Sequence, residues 1–380
     1  MFEKTKEICD LFIEMGVPGI DLIVYHKGEC VLRYIKGYSE LESKTEMCGK
    51  ERYNVYSCSK LITCTAAMQL FERGLFSLED KLSEYMPEFE NVNVLEADGT
   101  LRPAKTPIRI KNLFEMTSGF AYNTSSENIL RAKKETGGRC QTRELMKYLA
   151  KEPLLFDPGD RWEYGFSHDI LAALVEVISG ERFEKYVEKN IFAPLGMNNS
   201  TFMLPDSELD TVCAQYIFEN GKLRNVGKEI YRFKFGREYA SGGAGCVSTV
   251  EDYIKLLEGL RLGTVLKKET VTLMATDRLT EHQKRTYWTK NTHGYGLGVR
   301  CPSGNDKYRD FGWGGAACAF IAIDRENEIS LYFGAHLLSS PAQGLRSMLY
   351  RFVRAELIDH GGLEDIYEEL KSLYNYNLTY

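Results

Sequence analysis

The stretch YSCSKLITCTAAMQLFERG, residues 56–74, opens a helical pattern on a serine with a lysine one turn behind it. Two readings compete. In the first, Ser57 is an N-cap whose hydroxyl satisfies an unpaired amide, and Lys60 lies on a solvated face. In the second, Ser57 is a nucleophile and Lys60, on the same face at i+3, takes its proton. The surroundings favour the second. Leu61, Cys64, Met68 and Phe71 form an apolar stripe, and the helix follows a β-rich run, RYNVY. Its first turn then points into an interface, where burial can depress a lysine pKa far enough for the amine to act as a base. This is the only S-x-x-K in the chain.

Working outward, 380 residues with 43% apolar and 27% charged side chains describe a globular chain with a sizeable core, expected in two domains. A net charge of −6 with scattered Lys and Arg offers no basic stripe, which argues against nucleic acid as a partner. The N-terminus spaces Ile8, Leu11, Phe12 and Met15 as an amphipathic helix stopped by Gly16, unlike a signal peptide. ILAALVEVI contains Glu176 and is about half the ~20 residues of a membrane span. The expected compartment is the cytoplasm. Ten cysteines fall singly, without C-x-x-C pairs, and read as reduced, mostly buried thiols.

IDLIVYH and ECVLRYI form a hairpin at Lys27-Gly28, and CAFIAID and EISLYFGAH repeat the signal late in the chain. SPAQGLRSMLYRFVRAELID closes it as a helix, with Ser340 as N-cap, Pro341 at N1 and a stripe of Leu345, Leu349, Phe352 and Val353. Between the β regions lie helical patterns, including STVEDYIKLLEGLRLG with a capping box from Ser248 to Glu251. The expected fold is α/β (α+β): an antiparallel sheet flanked by N- and C-terminal helices, plus an inserted, mostly helical domain. The expected boundaries are 1–75 with 225–362 for the sheet domain, 76–224 for the helical domain, and 363–380 for a C-terminal tail. A cleft between such lobes favours a small-molecule site.

Other chemistries lack support. Six histidines show no H-E-x-x-H or zinc spacing, so no metal is expected. GYGLG and SGGAG lack the dinucleotide register, no G-K-[ST] loop occurs, and G-x-S-x-G is absent. Cys58 could compete as nucleophile but has no assignable His–Asn partners.

Five segments, in order, carry a resemblance. YSCSK matches S-x-x-K. IRIKNLFEMTSGF is similar to T-I-x-x-L-L-x-H-T-S-G. DPGDRWEYGFSHDILAALVEVISG looks like the P-G-x-x-x-x-Y-S-N region, ASGGAGCVSTVEDY resembles G-G-x-x-S-T-x-x-D, and FGWGGAACAFIAIDRENEI resembles the third motif on an edge strand. Over nearly its whole length the chain thus resembles the class C serine β-lactamases, the related DD-peptidases and the carboxylesterases and amide hydrolases of that fold. The resemblance implies Ser57 as nucleophile, Lys60 as activating base and Tyr164 as second proton-transfer group. It also implies an oxyanion hole from the backbone N–H groups of Ser57 and Ala316, with Phe166, Trp313, Gly314 and Gly315 facing the substrate.

Two departures stand out. Tyr164-Gly165-Phe166 lacks the amide of Y-x-N, and Trp313-Gly314-Gly315 replaces the Lys-Thr-Gly or His-x-Gly whose cation holds a β-lactam carboxylate. Both resemble the esterase branch. The expectation is therefore a serine hydrolase forming an acyl-enzyme on a small carboxylic ester or activated amide, without cofactor, and preferring neutral short-chain esters. Should a carboxylate bind nonetheless, Arg300 or Arg309 would have to supply the charge. The alternatives are a weak class C-type β-lactamase or D-amino-acid peptidase or amidase, and a penicillin-binding-type recognition protein with little turnover. Oligomeric state is left open.

Overall fold

The computed structural model describes residues 1–289, 292–304 and 306–378, the last six as helical backbone only. Its principal elements are α1 (Glu3–Glu14), β1 (Gly19–His26), β2 (Glu29–Glu40), β3 (Thr45–Glu46), β4 (Arg52–Asn54), α2 (Ser59–Glu72), α3 (Ser167–Ser179), β5 (Val247–Thr249), α4 (Val250–Leu262), β6 (Phe320–Asp324), β7 (Ile329–Ala335), α5 (Arg346–Arg354) and α6 (Leu363–Leu378). Five strands form one antiparallel sheet in the order β6-β7-β1-β2-β3. The β1–β2 turn places Lys27 at φ 54° and Gly28 at φ 86°, the double positive φ that a right-twisted two-residue hairpin demands.

Strand alternation explains the layers. Ile20, Leu22 and Val24 of β1 pack with Ile8 and Phe12 of α1 and Leu349, Phe352 and Val353 of α5. Ile23, one residue out of phase, faces the other core, where Tyr332 stacks on Tyr253 of α4 at 4.4 Å between ring centroids. The sheet is thus the middle layer between the terminal helices and α4. Beyond α4 lies the helical region, where α2 packs against α3.

α2 is more enclosed than its apolar stripe suggested. Every residue from Ser59 to Met68 is buried, Lys60 included, because the sheet side and α3 cover opposite faces.

Three local readings are corrected. The closing helix starts at Arg346 and not at Pro341: the Ser340 hydroxyl accepts from Ala342 N at 3.1 Å in a turn, Gln343–Leu345 is a 3₁₀ segment, and Gly344 lowers helix propensity there. Helix α4 is capped by Thr249, whose Oγ1 accepts from Asp252 N at 3.1 Å, because Ser248 is engaged in β5 opposite Tyr53. The segment read as a C-terminal tail is helical over its described residues, Leu363–Leu378, with Ile366 and Leu370, one turn apart, buried against α5.

Candidate active site

Ser57 sits in a 3₁₀ turn, Tyr56–Cys58, wedged between β4 and α2. The residue at the helix cap is Cys58, and no side chain bonds to the cap, so the Ser57 hydroxyl satisfies no helix amide. Tyr56, immediately before it, has φ 46°, a left-handed conformation costly for a bulky residue. Its hydroxyl is tied to Gln215 Oε1 and accepts from Tyr231 N at 3.3 Å, which holds the strained turn in place.

The Ser57 hydroxyl has two neighbours. Tyr164 OH donates to Oγ at 2.6 Å, and Lys60 Nζ lies at 3.4 Å. Lys60 is fully buried yet polar throughout its surroundings: Nζ also donates to Gly243 O at 2.7 Å and Tyr122 OH at 3.1 Å, and lies 4.5 Å from the Tyr164 ring centroid. Three acceptors match the three donors of an ammonium group.

Behind Lys60, the buried carboxylate of Asp169 in α3 gathers four donors: Tyr239 OH at 2.6 Å, Ser241 Oγ at 2.7 Å, Tyr122 OH at 3.2 Å and Gly243 N at 3.3 Å. Asp169 thereby fixes two of the three groups that accept from Lys60, Tyr122 and Gly243. Glycine is required at 243, since a Cβ there would lie 2.2 Å from Tyr122 OH and 2.5 Å from Asp169 Oδ2. Neighbouring His168 is fully buried against Phe114 O and Cys64, and desolvation, aided by Lys60, pulls its pKa down to about 3.

Trp313 is buried, stacks on Tyr164 at 5.8 Å, and donates Nε1–H to Tyr164 OH at 3.3 Å. Gly315 packs so closely on the turn before Ser57 that a Cβ would stand 2.6 Å from Val55 O. This brings Ala316 beside Ser57, and both line a cleft of about 400 Å³ together with Tyr164, Trp313, Gly314 and Gly315. Trp288 walls the cleft from outside, 64% exposed, its ring centroid 4.9 Å from that of Tyr164.

Of the residues read from the sequence, Phe166 does not join the group. It is buried at the start of α3 against Tyr122 and Phe235, because the backbone of Phe120 presses on Gly165 and turns the next side chain inward. Nor is the cleft without a cation, as the loss of a third-motif lysine had suggested: Arg300 and Arg346 both line it, while Arg309 lies elsewhere. Tyr122, Asp169, Arg346 and Trp288 escaped the sequence reading. Tyr122 follows the SGF of the second motif by two residues, and Asp169 is an acid inside an apolar helix; both were visible signals. Among the described residues no cluster of His, Cys, Asp or Glu has the geometry of a metal site, and no helix is long and apolar enough to cross a membrane.

Comparison with known proteins agrees with this architecture. The Beta-lactamase family model matches residues 6–350. A monacolin J acid methylbutanoyltransferase of Aspergillus terreus is 32% identical over 297 residues, 73% of this chain and 70% of that one. Esterase EstB of Burkholderia gladioli is 27% identical over 282 residues, 68% of this chain and 69% of that one. The solved structure of EstCE1, described as a hydrolase with promiscuous acyltransferase activity, shares the fold with a TM-score of 0.75 at 22% identity, over 92% of this chain and 97% of that one.

Proposed function

The chain belongs to the beta-lactamase family, and from that premise we propose that it is a carboxylesterase-like serine hydrolase acting through an acyl-enzyme on Ser57. The observation that carries this reading is the contact of Ser57 Oγ with Tyr164 OH at 2.6 Å and Lys60 Nζ at 3.4 Å at the floor of an aromatic cleft. Tyr164, which donates to Oγ in the resting state, first releases its own proton to solvent; Ser57 Oγ then attacks the ester carbonyl carbon, its proton passes to the tyrosinate oxygen, and the N–H groups of Ser57 and Ala316 donate to the developing oxyanion. Tyr164 returns the proton to the departing alkoxide, and water then repeats the sequence in reverse order. Tyr164 is the nearer acceptor, so Lys60 serves this scheme less as the base the sequence suggested than as a fixed cation that stabilises the tyrosinate and alkoxide. Trp313 Nε1–H supports the same oxygen.

Transfer of the acyl group to an alcohol instead of water is the second reading. It draws on the 32% identical relative named as a methylbutanoyltransferase. Both readings share the acyl-enzyme. A fluorophosphonate probe should label Ser57, located by peptide mass spectrometry, and p-nitrophenyl esters should be turned over, with added alcohols diverting the acyl group in the transferase case. An unlabelled Ser57 in folded protein overturns the proposal.

A further inference from the structure

Behind the nucleophile lies a second cavity, of about 60 Å³, that shares no lining residue with the Ser57 cleft. It forms where residues 228–245 fold over β4 and β5, and Asn54 Nδ2 of β4 holds that segment by donating to Lys228 O at 2.8 Å. Phe202, Leu209, Ile230, Phe233 and Val247 make its walls apolar. Its rim is cationic: Lys228, Lys234 and Arg237 stand there against the single carboxylate of Glu229. Lys234 pairs with Glu229 at 2.9 Å, and Lys228 with Asp210, outside the cavity, at 3.4 Å. Arg237 is exposed and, among the described residues, has no carboxylate partner.

The inner wall belongs to the surroundings of Lys60. Tyr239 and Ser241 are buried there, and their hydroxyls donate to Asp169 at 2.6 and 2.7 Å. Asp169 in turn holds Tyr122 and Gly243, the two groups besides Ser57 that accept from Lys60. Phe233 adds a second link, packing edge-on against Tyr122 at 5.5 Å between ring centroids. An occupant of the cavity therefore touches side chains that bond Asp169 directly.

We propose that this cavity is an effector site for the anion of a short-chain carboxylic acid, with the carboxylate on Arg237 at the rim, the alkyl tail among the apolar walls, and occupancy raising the rate at Ser57. Size sets the tail: at ~10–15 Å³ for each water-sized group, the cavity takes about four to six heavy atoms. Charge sets the head. Two of the three rim cations already face a carboxylate, which leaves one positive charge for a monoanion, and a guanidinium donates to both carboxylate oxygens in parallel. Water is a poor occupant, because the walls are apolar and the Tyr239 and Ser241 hydroxyls are already committed to Asp169. A ligand that fills the cavity favours the arrangement in which both hydroxyls sit on Asp169, and so the alignment of Lys60. Binding stands independently of the reaction; its effect on rate rests on the Ser57 hydrolase reading, whose acid product is such an anion when the acyl part is short.

Calorimetry on the whole chain with the sodium salts from propanoate to octanoate tests the site without turnover. Each added CH₂ up to pentanoate should tighten binding about fourfold, and the gain should stop once the cavity is full. Pentanamide should bind about tenfold or more weakly than pentanoate. Pentanoate should lose as much in Arg237→Gln, and in Leu209→Trp, which places a larger ring in the cavity from a partly exposed position. No binding, tightening that continues to octanoate, equal binding of the amide, or pentanoate binding unchanged in either variant overturns the site. Kinetics then test the coupling. Arg237 lies outside the Ser57 group, so Arg237→Gln without pentanoate should hydrolyse p-nitrophenyl acetate like wild type. Saturating pentanoate should raise wild-type kcat about twofold and leave Arg237→Gln unchanged, whereas competition at Ser57 acts on KM in both. Binding with kcat unaltered or lowered overturns the effector role. Binding in folded protein that turns over no ester overturns the hydrolase reading and leaves the site standing.

Discussion

The two ends of the cleft differ in what they leave open. At the Ser57 end, Lys60 meets three acceptors, Asp169 four donors, and the Tyr164 hydroxyl sits between Ser57 and Trp313. At the α5 end, among the described residues, buried Arg300 has two nitrogens without partners and Arg346 no counter-ion. Groups that perform chemistry gain from being preorganised, because an interaction already in place costs no reorganisation in the transition state. Groups that recognise a ligand must keep donors free for it. On the reading proposed for Ser57, the fully paired end is therefore the one suited to reaction.

The sharpest way to break that contrast is at the nucleophile. Ser57→Ala should lower kcat by roughly 10⁴-fold or more, as removal of a nucleophile does in serine hydrolases. Because its hydroxyl caps no helix amide, the unfolding free energy measured in urea should stay within about 0.5 kcal/mol of wild type. Appreciable residual turnover with Ser57 removed would move the chemistry elsewhere in the cleft.

The closed end also predicts a pH signature. His168 is neutral and dry in the folded state, with a pKa near 3 against an ordinary 6.5. Below pH 6.5 the unfolded chain takes up a proton that the folded chain refuses, so this residue removes stability as pH falls from 6.5 towards 3. By pH 5 the loss is about 2 kcal/mol. Urea unfolding at pH 7.5 and pH 5 should therefore show a smaller drop in His168→Gln than in wild type. The comparison must be made between proteins, because Asp21, raised to about 7 by burial despite Arg33, acts in the opposite sense over the same range. Equal drops would mean that water reaches α3.

Asp169 tests whether pairing behind the nucleophile matters to the rate. Asp169→Asn keeps the shape but turns one acceptor into a donor facing Tyr122 or the group around Ser241, so Lys60 loses its alignment. A fall in kcat of about tenfold to a hundredfold with KM nearly constant is expected, the usual range for an orienting partner. Unchanged kcat would mean that Gly243 and α2 hold Lys60 unaided.

The same contrast explains what could be read from the chain. Ser57 and Lys60 stood out because S-x-x-K is a local spacing, three residues from a 3₁₀ turn into the start of α2, whereas Tyr164 was named through the family resemblance of its segment. The sheet was legible from alternation in β1, β2, β6 and β7, and the hairpin from Lys27-Gly28. The enclosure of α2 was not, since burial on every face depends on α3 and the sheet, far away in sequence. SGGAG could be rejected as a nucleotide loop, but its real position, with Gly242 O accepting from Thr63 and Gly243 O from Lys60, exists only after folding. Arg346 was hidden for the same reason: one arginine in a basic helix carries no mark that its partner carboxylate is missing.

Trp313 stands on the boundary between the two ends and gives the smallest effect, though a discriminating one. Its ring lines the cleft, where apolar contact with a substrate would act on KM, while its Nε1–H reaches the Tyr164 oxygen at 3.3 Å, where a hydrogen bond would act on kcat. Trp313→Phe keeps an aromatic ring on Tyr164 and deletes the donor. A hydrogen bond of this kind is worth about 1 kcal/mol, which corresponds to a fall in kcat of roughly fivefold. If Tyr164 carries negative charge before it accepts the Ser57 proton, that loss appears in kcat for every ester alike. A change in KM alone would assign Trp313 to recognition.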